Sequence, residues 1–484
     1  MKEKYLDTYF FDSKFALEIA LKKNQAETKN PNIKGLQICY YNGEKLKKTP
    51  KNCIHLPLDK IYSYFIKTNN RFPQFVSFNN TDFSHQDKIA FNQKMTDILA
   101  LSIAANNLLV EKLKKKIKKN KPDFSDKKLR VFIAACRETV VMQHNSKSIA
   151  ESFKKKGYDV KFYIQKNDME TCGALANMKA LHNFNPHITV SINHFNNEYL
   201  NKSVLNFVWF QDQMPCLEDN SKLDTRKNDF VFHLVPHFKK LLKKKNLKSS
   251  YQPFCIDTKV HRIRKNIQRE QKIVFIGSSY QQRISELTIN EENLLKNLIS
   301  IFTAKGEISQ SEINFISKHQ NISIEKIDSL IGYIMRDILL IQLCNLSSNY
   351  NIEIYGYGWE KYKETKPYYC GPISPGKHLS KIYNSATFVF APAQNALQLR
   401  TLEGAANGAI PIAYDNKKSI HEGNKIDYDR SIIYFKRITD LTKVLNENSI
   451  IEKDLDYLIK KNKYKSFIKK MHKIIQKNIS MLNN

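Results

Sequence analysis

Residues 397–413 read LQLRTLEGAANGAIPIA, and this stretch decides how the rest of the chain is parsed. Arg400 and Glu403 stand three positions apart, which on a helix makes them neighbours on one face. Four small residues follow at once, Gly404, Ala405, Ala406 and Gly408, so the helix is expected to pack closely on whatever lies beneath it. The run AIPIA after them reads as a short buried strand. An arginine in that place can grip the oxygens of a diphosphate, and a glutamate one turn on can accept hydrogen bonds from both hydroxyls of a ribose. The bland alternative is a surface ion pair; the small residues behind Arg400, Thr401 and Glu403 favour a site.

Working outward, the neighbouring segments repeat one grammar. KIVFIGSSYQQR (272–283) is an apolar strand, a glycine turn and a helix start, in which Gly277 permits close approach of an anion. Ser278 and Ser279 add hydroxyls and amides there, and Arg283 a guanidinium. NIEIYGYGW (351–359) and YCGPIS (369–374) place glycines beside aromatics, which suits a flat base lying on a loop, with Gly371, Pro372 and Ile373 as the contact, and equally suits ordinary packed turns. HLSKIYNSA, TFVFAPA, the Arg400 helix and AIPIAYD then alternate helix and strand, the pattern of a parallel sheet. Earlier in the chain KLRVFIAAC, HNSKSIAESFKKKGYDVKFYI, HITVSINHF and NFVWFQD follow the same pattern. Ligands of such sheets bind beyond the carboxyl ends of the strands, which singles out His194 and, after NFVWFQ, Asp212. A histidine has the range for a general base, and an aspartate before a proline turn is either a competing base or a cap.

The expected organisation is an N-terminal region, 1–127, in which no motif is legible; an α/β domain, 128–265; a second α/β domain, 266–450, with a helical insertion at about 288–346; and a basic helix, 451–484. In the first region Ile98, Leu101, Leu108 and Leu109 recur at helical spacing; in the insertion Ile327, Leu330, Ile331, Ile334, Ile338 and Ile341 do so. The tail has an apolar stripe of Phe467, Ile468, Met471, Ile474 and Ile475, read as a helix packed on a domain in preference to one lying on a membrane.

The net charge of +31 comes mainly from lysine and implies attraction to anions: phosphorylated small molecules, an anionic membrane face or nucleic acid. Eight cysteines, none in a CxxC pair or near a histidine at ligand spacing, argue against a zinc site and for a reducing compartment. The start MKEKYLDTYFFDSKF has no apolar core of a signal peptide, and ILALSIAANNLLV is too short to span a bilayer, so a cytoplasmic protein is expected, with peripheral association at the inner face of an anionic membrane also compatible.

Taken together, FIGSSYQQR, IYGYGW, GPIS, KIYNSATFVFAPA and above all LRTLEGAANGAIPIA, in that order, resemble the CgeB-like (spore maturation protein type) glycosyltransferases, relatives of glycosyltransferase group 1. VWFQDQMPCL and YQPFCIDTKVH resemble that family's approach between domains. The resemblance covers roughly the last two-thirds of the chain. It implies a GT-B fold, two Rossmann-like domains facing across a cleft, and transfer of a sugar from a nucleoside diphosphate donor to a glycan, lipid-linked glycan or protein, with no bound cofactor and no essential metal. Arg283 and Arg400 would hold the diphosphate, Glu403 the ribose, and His194 or Asp212 would act on the acceptor side. Asn395 stands where the family's Glu-x7-Glu motif has its first glutamate. Two readings from other classes stay open: a basic nucleic-acid-binding protein, for which no recognised signature is present, and a catalytically silent GT-B fold acting as a binding subunit.

Overall fold

The computed structural model describes residues 8–27, 38–49, 53–68, 70–77, 84–137, 139–218, 223–346, 348–393, 397–417, 428–446 and 452–482. The chain forms two compact units, residues 1–208 with 223–230, and residues 209–222 with 231–484. The described strands build three sheets rather than the two the sequence suggests. β1 (Thr8–Phe11), β2 (Ile38–Tyr41), β3 (Cys53–His55) and β4 (Phe75–Ser77) have the order β3-β2-β1-β4. β5 (Arg130–Ala134), β6 (Asp159–Tyr163), β7 (Ile188–Ile192), β8 (Leu205–Phe210), β9 (Asp229–His233) and β10 (Ser249–Tyr251) have the order β10-β9-β8-β7-β5-β6. β11 (Glu270–Ile276), β12 (Asn351–Tyr355), β13 (Ala386–Phe390), β14 (Ile410–Tyr414) and β15 (Ile433–Phe435) have the order β12-β11-β13-β14-β15. Pairing is parallel in each, for instance β1 with β2, β5 with β7 and β11 with β13. The α/β class follows directly.

The N-terminal region therefore carries a Rossmann-like sheet of its own. Its strands are three or four residues long, too short for periodicity to reveal. Both faces are buried, as parallel strands require: Phe10 and Tyr40 pack with Phe65 and Phe91, while Phe11 and Tyr41 pack with Leu17. The long helix His85–Lys119 buries Phe91, Met95, Ser102 and Ile117. Leu101 and Leu108, which recur at helical spacing, are 58% and 68% exposed, because they project roughly 100–140° around the helix from Met95 and Ser102.

In the five-stranded sheet the chain leaves β11, adds β12 on one side, then returns to add β13 on the other. The carboxyl ends of β11 and β13 thus flank a topological switch point, the place where open parallel sheets form a crevice. The β11-to-β12 crossover is the helical insertion: Ile289–Lys305, Gln310–Gln320, Ile324–Tyr333, a π-helical turn Ile334–Ile338, and Leu339–Cys344. Thr288 and Ser309 start the first two helices with reciprocal caps to Glu291 and Glu312. Ile327, Leu330, Ile331 and Ile334 are buried as their spacing predicts, but beyond them the buried set is Leu339, Leu340 and Leu343, with Ile338 and Ile341 only half-buried. The π turn inserts an extra residue and shifts the buried face.

The closing helix Tyr464–Leu482 packs its stripe inward. Phe467 lies edge-on to Trp209 (5.1 Å between ring centres) and to Phe232 (5.0 Å), and Ile468, Met471 and Ile475 are buried. Among the described residues no helix is long and apolar enough to cross a membrane.

Candidate functional site

Helix Leu399–Ala406 sits on β13 with no room to spare: a Cβ on Gly404 would run into the side chain of Val389. That seat, made possible by Gly404, Ala405 and Ala406, aims the first turn of the helix at the end of β11. The Arg400 guanidinium lies 5.0 Å from the centre of the Phe275 ring and against Gly277, where a Cβ would stand 3.0 Å from Nη1 and 3.2 Å from Nη2. A side chain at 277 would push the guanidinium out of this seat. Among the described residues Arg400 Nη1 has no hydrogen-bond partner, and it is closed off from solvent.

The turn after β11 is braced from every side. Gly277 N–H donates to Tyr355 O (2.8 Å), Ser279 N–H to Tyr357 O (2.9 Å), and Trp359 Nε1–H to Gly277 O (2.6 Å). Gly356 N–H donates to Gly371 O (3.1 Å), and a Cβ on Gly356 would collide with Gly277 O. Ser278 Oγ accepts from Tyr357 N–H (3.2 Å) and Ser279 Oγ from Gln281 N–H (3.2 Å), so both hydroxyls hold the turn while keeping a proton to donate.

A second cation arrives from the insertion. Arg336, in the π turn, donates from Nη1 to Ser278 O (3.3 Å), and its guanidinium carbon stands 4.2 Å over the Tyr280 ring. Burial first, and the charge of Arg336 second, lower Arg400 to about 10. Its neighbour Asp337 is fully buried and accepts from Tyr280 N–H (2.9 Å to Oδ2) and the Tyr362 hydroxyl (2.8 Å); burial raises it to about 7. The π turn thus delivers a cation and fixes the turn that faces it.

Glu403 lies one helical turn beyond Arg400, its side chain 16% exposed. The Tyr383 hydroxyl donates to Oε2 (3.2 Å), and His261 Nε2 is 3.5 Å from Oε1. Burial raises its pKa to about 7 against the opposing pull of Tyr383 and Arg400. Two guanidinium groups gathered at a glycine turn, with a carboxylate behind them, form a receptor for a polyanion that also carries hydroxyls. Among the described residues no group of three or more His, Cys, Asp and Glu side chains is placed to hold a metal ion.

No protein-family model and no curated protein matches the sequence. Among solved structures the chain is similar to AviGT4, a glycosyltransferase involved in avilamycin A biosynthesis, at 9% identity and a TM-score of 0.43, over 73% of this chain and 98% of that one. It is also similar to TarM, at 12% identity and a TM-score of 0.35, over 98% of this chain and 99% of that one.

Of the residues singled out in the sequence, the structure gathers Gly277, Ser278, Ser279, Arg400 and Glu403. Gly371 joins through its bond to Gly356; Ile373 packs against the cluster containing Leu379 and Tyr383, and Pro372 is exposed. Thr401 is buried and faces the packing, not the crevice. Arg283 is exposed, 5.5 Å from the centre of the Tyr280 ring, on the rim of a cleft of about 440 Å³ that includes Lys326 and Asp328. Arg336, and not Arg283, therefore stands beside Arg400. His194 is exposed after β7, which with β5 flanks the switch point of the six-stranded sheet; Asp212 is exposed after β8. Asn395 lies outside the described residues. Arg336, Asp337, Tyr383 and His261 went unread. Arg336 and Asp337 had a signal, a charged pair in the middle of the apolar run 327–343; His261 ends the segment YQPFCIDTKVH, but nothing local in it points to Glu403.

Proposed function

We propose that this chain is a glycosyltransferase of the GT-B type, CgeB-like in its sequence motifs, that takes a sugar from a nucleoside diphosphate donor. The observation that carries the reading is Arg400: a guanidinium with a buried, unpartnered Nη1, packed on Gly277 at a sheet switch point beside a second arginine. Like charges held near one another, one of them with a buried N–H that has no acceptor, are stabilised by an anion that meets both. Arg400 and Arg336 would bind the diphosphate and carry the negative charge that develops on it as the glycosidic bond breaks. Glu403, one turn along, would accept the ribose hydroxyls, and the loop at Gly371–Ile373 would lie near the base. His194 and Asp212 are the candidates for activating an acceptor hydroxyl on a glycan, a lipid-linked glycan or a protein. Neither a bound cofactor nor a metal enters this scheme; a cytoplasmic enzyme working at an anionic membrane face suits its charge.

Incubation with UDP-, GDP-, CDP-, ADP- and dTDP-linked hexoses, read as release of the free diphosphate, tests the reading. Slow release from one donor class, abolished by Arg400→Ala, is expected. Equal rates in the wild type and the variant, or release from none, would contradict it.

A further inference from the structure

Behind Glu403 lies a buried polar chain that the transfer chemistry does not call on directly. Asn407, fully buried at the end of the same helix, makes bonds whose polarity is fixed by the backbone. Its Oδ1 accepts from Arg262 N–H (3.2 Å), and its Nδ2 donates to Glu403 O (2.7 Å). A backbone N–H can only donate and a backbone carbonyl only accept, so the amide has one possible orientation. Ser380 Oγ (2.7 Å) and Asn384 Nδ2 (2.8 Å) also donate to Oδ1, in keeping with that orientation. The second Nδ2 proton then points at His261 Nδ1, 3.0 Å away. His261 Nδ1 must accept, which places the ring proton on Nε2, and Nε2 is the atom facing Glu403 Oε1 at 3.5 Å.

We infer that His261 is a positioning residue for Glu403: Asn407 sets its tautomer, and its Nε2–H, with the Tyr383 hydroxyl, holds the carboxylate so that both oxygens face a vicinal diol. Oε2 accepts from the Tyr383 hydroxyl, and Oε1 has the His261 Nε2–H facing it at 3.5 Å. Each keeps acceptor capacity for one hydroxyl of a ribose. The inference rests on the reading of Glu403 as the ribose carboxylate. It adds that the connector before β11 helps to select a ribonucleotide. Arg264 N–H donates to Asn384 Oδ1 (2.7 Å) and Asn384 Nδ2 donates to Arg262 O (3.0 Å), so the segment carrying His261 is pinned to the same helices as Glu403.

Calorimetric titration of the full chain with UDP, GDP, CDP and ADP, with the 2′-deoxy counterpart of the one that binds best, and with inorganic pyrophosphate provides the test. In His261→Phe, which keeps the ring volume, the ribonucleotide is expected to bind about fivefold more weakly and the 2′-deoxy form and pyrophosphate nearly as in the wild type. His261→Gln, which returns an N–H donor, should recover most of the loss. Weakening in Glu403→Ala with no change in His261→Phe would overturn the positioning role alone. Equal weakening of pyrophosphate in His261→Phe, or failure of His261→Gln to recover, would also overturn it, because a general packing defect acts that way. Ribonucleotide affinity unchanged in Glu403→Ala, or no binding of any nucleotide, would overturn the ribose reading and this inference with it.

Discussion

Arg400 has lost water at Nη1 without gaining a protein partner, and a buried N–H left without an acceptor is costly to the folded state. The cost identifies what is missing. An anion that meets both Arg400 and Arg336 restores the bonds and relieves their mutual repulsion. Replacement of either arginine by alanine is expected to weaken pyrophosphate binding about tenfold to a hundredfold in calorimetry, the loss typical of a charge-assisted hydrogen bond. Arg283→Ala should change it much less, since that side chain is exposed and does not act on Arg400 as Arg336 does. Glu403 adds a pH signature. With its folded pKa raised to about 7, it becomes a full acceptor only above that value, so ribonucleotide affinity should fall between pH 8 and pH 6 in the wild type, and Glu403→Gln should be weaker and flatter. The stability sign is the reverse. An acid whose folded pKa lies above its unfolded value costs stability as pH rises, so unliganded Glu403→Gln should gain over the wild type from about pH 4.5 to 7 and hold that gain above. The gain is roughly 3 kcal/mol at most, read as a difference in denaturant midpoint.

At the scale of elements, the site depends on three seats: Gly404 on Val389, Gly356 on Gly277, and the π turn on Tyr280. Gly404→Val should overpack the first, lift the Arg400 helix, destabilise the unit by about 1–3 kcal/mol and lower its thermal midpoint by several degrees. Much of this scale was legible in the sequence. LRTLEGAANG announced a closely packed helix because small residues cluster only where backbones approach, and the strands around it are apolar runs of ordinary length. The N-terminal sheet was not legible, since TYFF, ICYY, CIH and FVS are too short to show a period. Nor was the π turn. A reading that assumes 3.6 residues per turn carries Ile334 on to Ile338 and Ile341, whereas the extra residue turns Leu339, Leu340 and Leu343 inward and leaves Arg336 aimed at Ser278. His261 was hidden for a different reason: its partners Asn407 and Glu403 are more than 140 positions away in the chain, a separation that no local pattern encodes.

Across the whole molecule, the closing helix Tyr464–Leu482 is part of the second unit's core and not an appendage. Removal of residues 464–484 strips Phe467 from Trp209 and Phe232 and exposes the faces that Ile468, Met471 and Ile475 cover. Four side chains of that size are together worth more than about 5 kcal/mol of burial, so the truncated chain should lose its cooperative thermal transition and show red-shifted tryptophan emission. The charge of +31 belongs to this scale as well. It makes a field that draws anions in general, and its effect on binding should fade with salt, whereas the arginine site should keep its selectivity. Titration of the full chain at about 0.15 M salt with the five nucleoside diphosphates, alongside the Arg400→Ala and Glu403→Ala variants and an arbitrary DNA duplex, separates the two most directly. Selective binding of one diphosphate, lost in both variants, with weak and salt-sensitive duplex binding, is the predicted result. Tight duplex binding with no preference among the diphosphates and no effect of either substitution would contradict it.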